Sequence, residues 1–190
     1  MFFYVQKKDS MKSVFVFLMF TVFSFGQVKS PYALTDAQMD KIPADLSTST
    51  DGIAKYINEN FKSENDKIRA VFYWTASNIR YDIENIASID FKEVSPDKIK
   101  NTVISKKGVC IHYAEVFNDI AKKVNIKSYI IYGYTKQNGK VDVLSHAWCA
   151  ARIDSTWWLF DPTWGAGYVD KNKFFKKLNN LNFKAAPAQF

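Results

Sequence analysis

The sequence lacks several features that would assign it to a specialised class of protein. It has no internal repeat, and its 26 lysines and arginines are scattered rather than gathered into a basic stripe interleaved with aromatics. A nucleic-acid partner is therefore not expected. The chain has only two cysteines, and neither stands directly after the N-terminal apolar run, so a lipid-anchored mature N-terminus is not supported.

The chain does contain enough apolar material to form a folded core. Hydrophobic residues make up 47% of the sequence and aromatic residues 16%, a composition that argues against general disorder. The formal net charge of +7 supports no more than a mild preference for anionic surfaces.

Residues 1–26 have the pattern of a signal peptide. Lys7, Lys8 and Lys12 precede an apolar run from Val14 to Phe25, and small residues follow before Gln27. The run is too short for a comfortable transmembrane helix, so no stable membrane insertion is expected after cleavage. The sequence thus predicts an exported protein, periplasmic, secreted or at the cell surface.

The rest of the chain divides by composition into three parts. Residues 27–50 are polar, with prolines and a Ser-Thr run, and are interpreted as a linker or extended arm over the surface. Residues 51–170 form the predicted domain. Residues 171–190 form a polar, lysine-rich C-terminal extension, with truncation of a longer chain as an open alternative.

Helical periodicity dominates the first part of the predicted domain. The predicted helices cover residues 51–61, a stretch from Ser63 to Ile79, a stretch from Ser95 to about residues 105–108, and a stretch from Cys110 to about Val124. Ser63 and Asp66 have the spacing of a helix-capping pair.

The periodicity changes after Asn125 to one that favours strands. Strands are predicted at residues 127–135, 141–153 and 156–160, with turns at Gln137-Asn138-Gly139 and Asp154-Ser155. Residues 141–153 form either one strand or two with a kink. Helices followed by an antiparallel sheet indicate an α+β fold.

Cys110 is predicted to lie at the beginning of a helix. A turn-prone stretch ends at Gly108, and an amphipathic pattern starts directly after it. Unpaired N–H groups and the helix dipole favour negative charge at such a position. A thiolate would therefore be stabilised there.

His146 and Asp161 complete a candidate set for thiol acyl transfer. If Asp154-Ser155 is a two-residue turn, Ile153 pairs with Thr156. His146 then lies opposite Thr163, with Asp161 as its diagonal neighbour on the same face. A slip of one residue would separate them.

The motifs around these residues resemble the transglutaminase-like superfamily. The resemblance rests on Gly108-Val109-Cys110 with Tyr113-Ala114, on His146-Ala147-Trp148, on Phe160-Asp161-Pro162-Thr163-Trp164-Gly165, and on the preceding stretch from Trp74 to Asp82. All occur in the family's order. The resemblance implies a papain-like core in which a helix that carries the nucleophile packs on an antiparallel sheet.

By this resemblance Cys110 would be the nucleophile, His146 the general base and acid, and Asp161 the orienting carboxylate. The backbone N–H of Cys110 would be one oxyanion donor, and the second donor is not identified. No acidic calcium-loop pattern is present, so no metal or other cofactor is expected. Trp74 and Tyr81 are interpreted as core residues, and Trp148 and Trp164 as core or cleft walls.

Two alternatives concern the only other cysteine, Cys149. With Cys110, His112 and His146 it would make a Cys2His2 zinc set, although the spacings are poor for one. With Cys110 alone it could form a disulfide, which would block the nucleophile. The favoured interpretation is that Cys149 is a small buried residue and that His112 is a helix-surface or rim residue with no chemical role.

The sequence therefore predicts an exported Cys-His-Asp thiol enzyme that acts on amide bonds of proteins or peptides. Hydrolysis is favoured over crosslinking, because an exposed acyl-enzyme meets abundant water and no amine-binding feature is visible. The alternative is a non-catalytic module that uses the same cleft to bind a peptide or a cell-surface polymer. The oligomeric state is not predicted.

Overall fold

The structure is a computed structural model that describes residues 30–86, 96–137 and 139–187. The predicted signal peptide, Ser95 and Asn138 lie outside the described residues. The helices are α1 (Ala33–Met39), α2 (Thr50–Asn60), α3 (Glu64–Asn78), α4 (Pro96–Ser105), α5 (Cys110–Lys123) and α6 (Pro162–Ala166). The strands are β1 (Arg80–Tyr81), β2 (Lys107–Gly108), β3 (Ser128–Gln137), β4 (Lys140–Ile153), β5 (Thr156–Phe160), β6 (Gly167–Asp170) and β7 (Lys173–Lys176).

The two helices predicted first begin at side-chain caps. The Ser49 hydroxyl accepts a hydrogen bond from the Gly52 N–H at the start of α2, at 3.0 Å. The Ser63 hydroxyl accepts one from the Asp66 N–H at the start of α3, also at 3.0 Å. Each bond satisfies a backbone donor that the helix leaves unpaired. The predicted helices and the Ser63 cap are thus confirmed.

The main sheet has the strand order β3-β4-β5 and is antiparallel throughout. Asp154 and Ser155 both adopt positive φ values of 48° and 68°, as the tight turn between β4 and β5 requires. Ile153 pairs with Thr156, which confirms the predicted register. The ladder stops at Phe160 because Pro162 starts α6, so Thr163 does not pair with His146 as predicted.

Helix α5 packs against the inner face of this sheet. Ala147, Cys149, Ala151 and Ile153 alternate along β4 and are fully buried. The Phe117 ring of α5 lies 5.4 Å from the Phe160 ring of β5, centroid to centroid. The α+β class and the packing of this helix on an antiparallel sheet agree with the prediction.

The segment before α2 differs from the predicted extended arm. Residues 33–39 form α1, and Met39 is 2% exposed in the core. The Asp36 carboxylate binds the Arg69 guanidinium of α3 through two hydrogen bonds of 2.7 Å. A polar composition was misleading here because the polar residues are paired with a buried charge on another helix. Across the described ranges, no helix combines the length and hydropathy needed to cross a membrane.

Candidate active site

Cys110 is the first residue of α5. Val109 before it is extended, at φ −105° and ψ 179°, and its carbonyl accepts from the N–H groups of His112 and Tyr113. Cys110 is a free thiol, 3% exposed, and it lines the floor of a cleft. The predicted position at a helix N-terminus is confirmed.

A short parallel bridge fixes the approach to this helix. Tyr81 of β1 pairs with Gly108 of β2. A side chain at position 108 would begin 2.7 Å from the Cβ atom of His112, so the close approach requires glycine.

His112 is more buried than the predicted helix-surface or rim residue. Its Nδ1 atom accepts a hydrogen bond from the Val109 N–H at 3.1 Å, so the half-buried ring caps the end of α5 that carries Cys110. Burial, together with the positive charge of Lys98, lowers the pKa of His112, and the Asp82 carboxylate opposes this shift. The neutral ring is the form that can accept this bond.

His146 and Asp161 are brought together although the strand ladder ends before Asp161. His146 Nε2 lies 2.6 Å from Asp161 Oδ2, and the two residues are 9% and 1% exposed. The other carboxylate oxygen, Oδ1, accepts from the N–H groups of Thr163 and Trp164 at 2.9 and 3.0 Å. One carboxylate therefore caps α6 and binds the imidazole.

Cys110 and His146 line the same cleft, and Cys110 lies near enough to His146 to influence the pKa of its ring. Burial disfavours the charged ring, but the Asp161 carboxylate and then Cys110 outweigh it and raise the pKa of His146 to about 9. Because Asp161 occupies Nε2, Nδ1 is the nitrogen left to face the thiol. The three residues predicted from the sequence thus form one contiguous set in space.

A cleft of about 670 Å³ opens above this set. Its walls are mostly apolar and aromatic, with Leu144, Trp164, Tyr168, Val169 and Phe174 among them. The Trp148 and Trp164 rings flank the His146 ring, at centroid distances of 6.0 and 5.6 Å. Trp164 is 41% exposed, so it forms a cleft wall as expected.

Tyr81 packs against the core as predicted, and it also lines the cleft, a position that was not predicted. It is half-buried and lines the cleft together with Cys110. Burial raises the pKa of Tyr81 to about 12, with further contributions from Cys110 and Asp161. Its hydroxyl therefore keeps its proton at neutral pH. The cleft position could have been predicted from the sequence, because Tyr81 follows α3 directly and belongs to the stretch from Trp74 to Asp82 that resembles the family.

Neither alternative for Cys149 is formed. Both cysteines are free, and Cys149 Sγ donates to the Ala114 carbonyl at 3.5 Å inside the core. Burial raises the pKa of the Cys149 thiol well above its usual value. Within the three described ranges, no group of three histidine, cysteine or acidic side chains converges to hold a metal ion.

A helix that begins at a cysteine and packs on an antiparallel sheet, with a histidine on that sheet paired to an aspartate just beyond its last strand, defines a papain-like, cysteine protease-type domain. The family model of the transglutaminase-like superfamily matches residues 51–162. The chain belongs to this superfamily.

The chain is similar in sequence to two longer proteins. Kyphoscoliosis peptidase of Mus musculus is 31% identical over 136 residues, which covers 67% of this chain and 20% of that protein. The Homo sapiens protein of the same name is 31% identical over 133 residues, with 66% and 20% covered. The chain therefore spans about one fifth of the length of the curated relatives it matches.

The arylamine N-acetyltransferase NAT3 of Bacillus cereus, described as having a Cys-His-Glu catalytic triad, shares the fold. Its TM-score is 0.50 at 17% identity, with 65% of this chain and 50% of that chain covered.

Proposed function

We propose that this protein is an exported cysteine-dependent enzyme that cleaves amide bonds of proteins or peptides. The observation that carries the proposal is the 2.6 Å contact between His146 and Asp161, with Cys110 lining the same cleft as His146. Membership of the superfamily supports the same reading of the three residues.

In the proposed reaction, the Cys110 thiolate attacks the amide carbonyl carbon while His146 holds the proton. The carbonyl π electrons move to oxygen, and the resulting oxyanion accepts hydrogen bonds from the Cys110 backbone N–H and the Tyr81 hydroxyl. His146 then gives its proton to the leaving nitrogen as the C–N bond breaks. The products of this half-reaction are a free amine and a thioester on Cys110.

Water completes the cycle. His146 takes a proton from the water as its oxygen attacks the thioester carbonyl, and the C–S bond breaks to release a carboxylic acid. Asp161 stabilises the imidazolium in both half-reactions through Nε2. Hydrolysis is favoured over transfer to an amine because water is abundant in an open cleft, whose wall residues Leu144 and Trp164 are 58% and 41% exposed.

The cleft walls favour peptide segments with apolar or aromatic side chains next to the scissile bond. Leu144, Trp164, Tyr168 and Val169 are all more than one third exposed and line the same cleft. Exposed apolar side chains that converge on a concave site are typical of a ligand-binding surface.

The second candidate is a non-catalytic module that binds a peptide or cell-surface polymer in the cleft. The observation that favours it is the low exposure of Cys110, at 3%. Alkylation distinguishes the two candidates. At pH 6 roughly one in 300 thiols with an ordinary pKa near 8.5 is ionised, so a fully ionised thiol of equal nucleophilicity would react up to about 300-fold faster.

The experiment treats the purified protein with iodoacetamide between pH 5 and 9 and follows both cysteines by mass spectrometry. Cys149 serves as the internal control because it is fully buried. The proposal expects Cys110 to react rapidly at pH 6 and His146→Ala to abolish that advantage. A slow Cys110 at every pH would support the binding module.

Hydrolysis and crosslinking are then separated on one substrate. The protein is incubated with casein and a fluorescent primary amine. New peptide N-termini indicate hydrolysis, whereas fluorescent casein indicates transfer to the amine. Cys110→Ala, which removes the proposed nucleophile, should give neither product.

A further inference from the structure

Residues 177–187, here named the strap, follow the segment that carries Asp161. Backbone hydrogen bonds join the strap to both sides of Asp161: Lys177 N to Ala166 O, Asn179 N to Gly165 O, Leu159 N to Ala185 O and Ala185 N to Leu159 O. All four lie between 2.8 and 3.0 Å. The strap therefore holds in place the backbone on both sides of Asp161.

The strap also contacts Asp161 directly. The Asp161 N–H donates to the Asn182 carbonyl at 2.9 Å. Because Oδ1 is bound by α6 and Oδ2 by His146, this bond anchors the backbone from which the carboxylate projects. A shift of the strap would move the carboxylate relative to the imidazole.

Phe183 fastens the strap to the core. Its side chain is 6% exposed, whereas Leu181 two residues earlier is 84% exposed. The Phe183 ring lies 4.8, 5.1 and 5.4 Å from the rings of Tyr32, Phe72 and Phe160, measured between centroids. Phe183 is thus the aromatic anchor next to Asn182.

The buried Arg69 guanidinium also packs on the Phe183 ring. Together with the Tyr32, Phe72 and Phe160 rings it forms what is here named the Arg69 socket. The Arg69 guanidinium carbon lies 4.9 Å from the Phe183 ring centroid and 4.4 Å from that of Tyr32. Arg69 is 1% exposed, and Asp36 holds it through both of its carboxylate oxygens. A cation fixed over an aromatic face in a desolvated site strengthens the attachment of that ring.

This socket joins parts of the chain that lie outside the match to the family model. The match covers residues 51–162, whereas Tyr32 and Asp36 precede it and Phe183 follows it. Arg69 lies inside it and contacts both flanks. The two flanking segments therefore meet at one buried guanidinium behind the candidate active site.

We propose that Phe183, seated in the Arg69 socket, is a positioning residue that keeps Asp161 against His146 through the strap. The inference rests on the proposed function, because it takes Cys110, His146 and Asp161 to be the working site. Phe183 itself touches none of the reacting atoms, so its effect passes through Asn182 and the Asp161 backbone.

The test compares Phe183→Ala with Leu181→Ala, an exposed site in the same strap. Two quantities are measured at a temperature where circular dichroism shows each variant folded: the pH profile of Cys110 alkylation and the hydrogen-exchange rate of the Asp161 amide. Phe183→Ala should shift the acid limb of the profile toward higher pH, slow alkylation at pH 6 about tenfold, and speed exchange of the Asp161 amide. Leu181→Ala should leave both unchanged, and Phe183→Leu should restore most of the profile.

A purely structural role predicts a different result. Phe183→Ala would then lower the unfolding temperature while its alkylation profile still coincided with that of the unaltered protein, and the proposal would be overturned. Should Phe183→Ala not fold, Phe183→Val takes its place with the same expectations. Failure of the proposed function is recognised separately. Cys110 would then be alkylated as fast in His146→Ala as in the unaltered protein, while exchange of the Asp161 amide would still report on the strap.

Discussion

The two sides of the candidate site are held in different ways. On the cysteine side, Cys110 is placed by residues close to it in sequence: Gly108, the extended Val109 and the His112 cap. On the carboxylate side, the Asp161 backbone is held by Asn182 in a strap whose anchor contacts Tyr32, directly before α1, and α3. The comparison teaches that one site can combine a locally encoded half with a half that depends on distant contacts.

The largest expected effect lies at the junction of the two sides. Asp161→Asn should keep α6 capped, because the amide oxygen can still accept from Thr163 and Trp164. The amide N–H₂ would face Nε2 and favour the wrong imidazole tautomer. We expect kcat to fall by about 10²–10⁴-fold with little change in stability.

This expectation is checked by kinetics on any peptide cleaved in the casein digest, together with urea unfolding. Asp161→Ala provides the comparison, because it should lose both activity and the cap. Equal kcat values for Asp161→Asn and the unaltered protein would show that the two sides do not cooperate.

The second prediction concerns the ion pair between Asp36 and Arg69, which supports the carboxylate side from a distance. Asp36→Ala leaves the Arg69 charge buried without its ion-pair partner, so we expect the free energy of unfolding to fall by about 3–5 kcal/mol. Adding Arg69→Met should recover part of this loss by removing the charge. Urea unfolding measures both.

Asp40→Ala is the matched control for this prediction. Asp40 follows α1 and accepts from the Tyr73 hydroxyl at 2.7 Å, but it is exposed. Its loss should cost less than about 1 kcal/mol. Similar costs for the two aspartates would mean that the buried pair does not support the strap.

The difference between the two sides also explains which features could be predicted from the sequence and which could not. Cys110 and the β4–β5 register follow from local signals, namely a glycine before an amphipathic helix and a two-residue turn at Asp154-Ser155. The helix at residues 33–39 was missed because its key contact joins Asp36 to Arg69, 33 residues away. No local periodicity contains such a pairing.

The anchoring role of Phe183 and the cleft position of Tyr81 were missed for related reasons. Phe183 lies in a polar, lysine-rich segment, and only the packing of Tyr32 and Phe72 around it identifies an anchor. Tyr81 is brought to the cleft by its pairing with Gly108, a parallel bridge too short to have a sequence pattern. The three proposed catalytic residues were found because the motifs around them are local.

The third prediction concerns Tyr81, the proposed oxyanion donor on the cysteine side. Tyr81→Phe should lower kcat by about 10²–10³-fold, the usual cost of losing one such donor. Alkylation of Cys110 by iodoacetamide should not change, because that displacement develops no oxyanion. A parallel loss of alkylation would assign Tyr81 to support of the thiolate instead.

The fourth prediction examines a carboxyl group in the body of α5. Glu115 is 1% exposed, and neither of its oxygens has a hydrogen-bond partner among the described residues. Burial raises the pKa of Glu115 from 4.5 to about 7, against the opposing charge of Lys98. The native state therefore binds this proton more tightly than the unfolded state does.

The associated stability is complete below about pH 4.5 and is lost as pH rises toward 7. Glu115→Gln should stabilise the protein at pH 8 by up to about 3 kcal/mol relative to its effect at pH 4.5. Urea unfolding at the two pH values measures this difference, with the exposed Glu59→Gln as the control. If Glu115→Gln changed the free energy of unfolding equally at both pH values, the raised pKa of Glu115 would be contradicted.

The smallest expected effect isolates the local cap of the cysteine side. His112→Ala removes the acceptor of the Val109 N–H and should cost about 1 kcal/mol at pH 8. Because the pKa of His112 is lowered in the folded protein, the contribution is present above about pH 6.5 and is lost as pH falls. The protonated ring can no longer accept the bond, and its charge opposes the helix dipole. Unfolding of the two proteins should therefore converge near pH 5, whereas a cost that persists there would mean that His112 stabilises the helix start by packing on Gly108 rather than by capping.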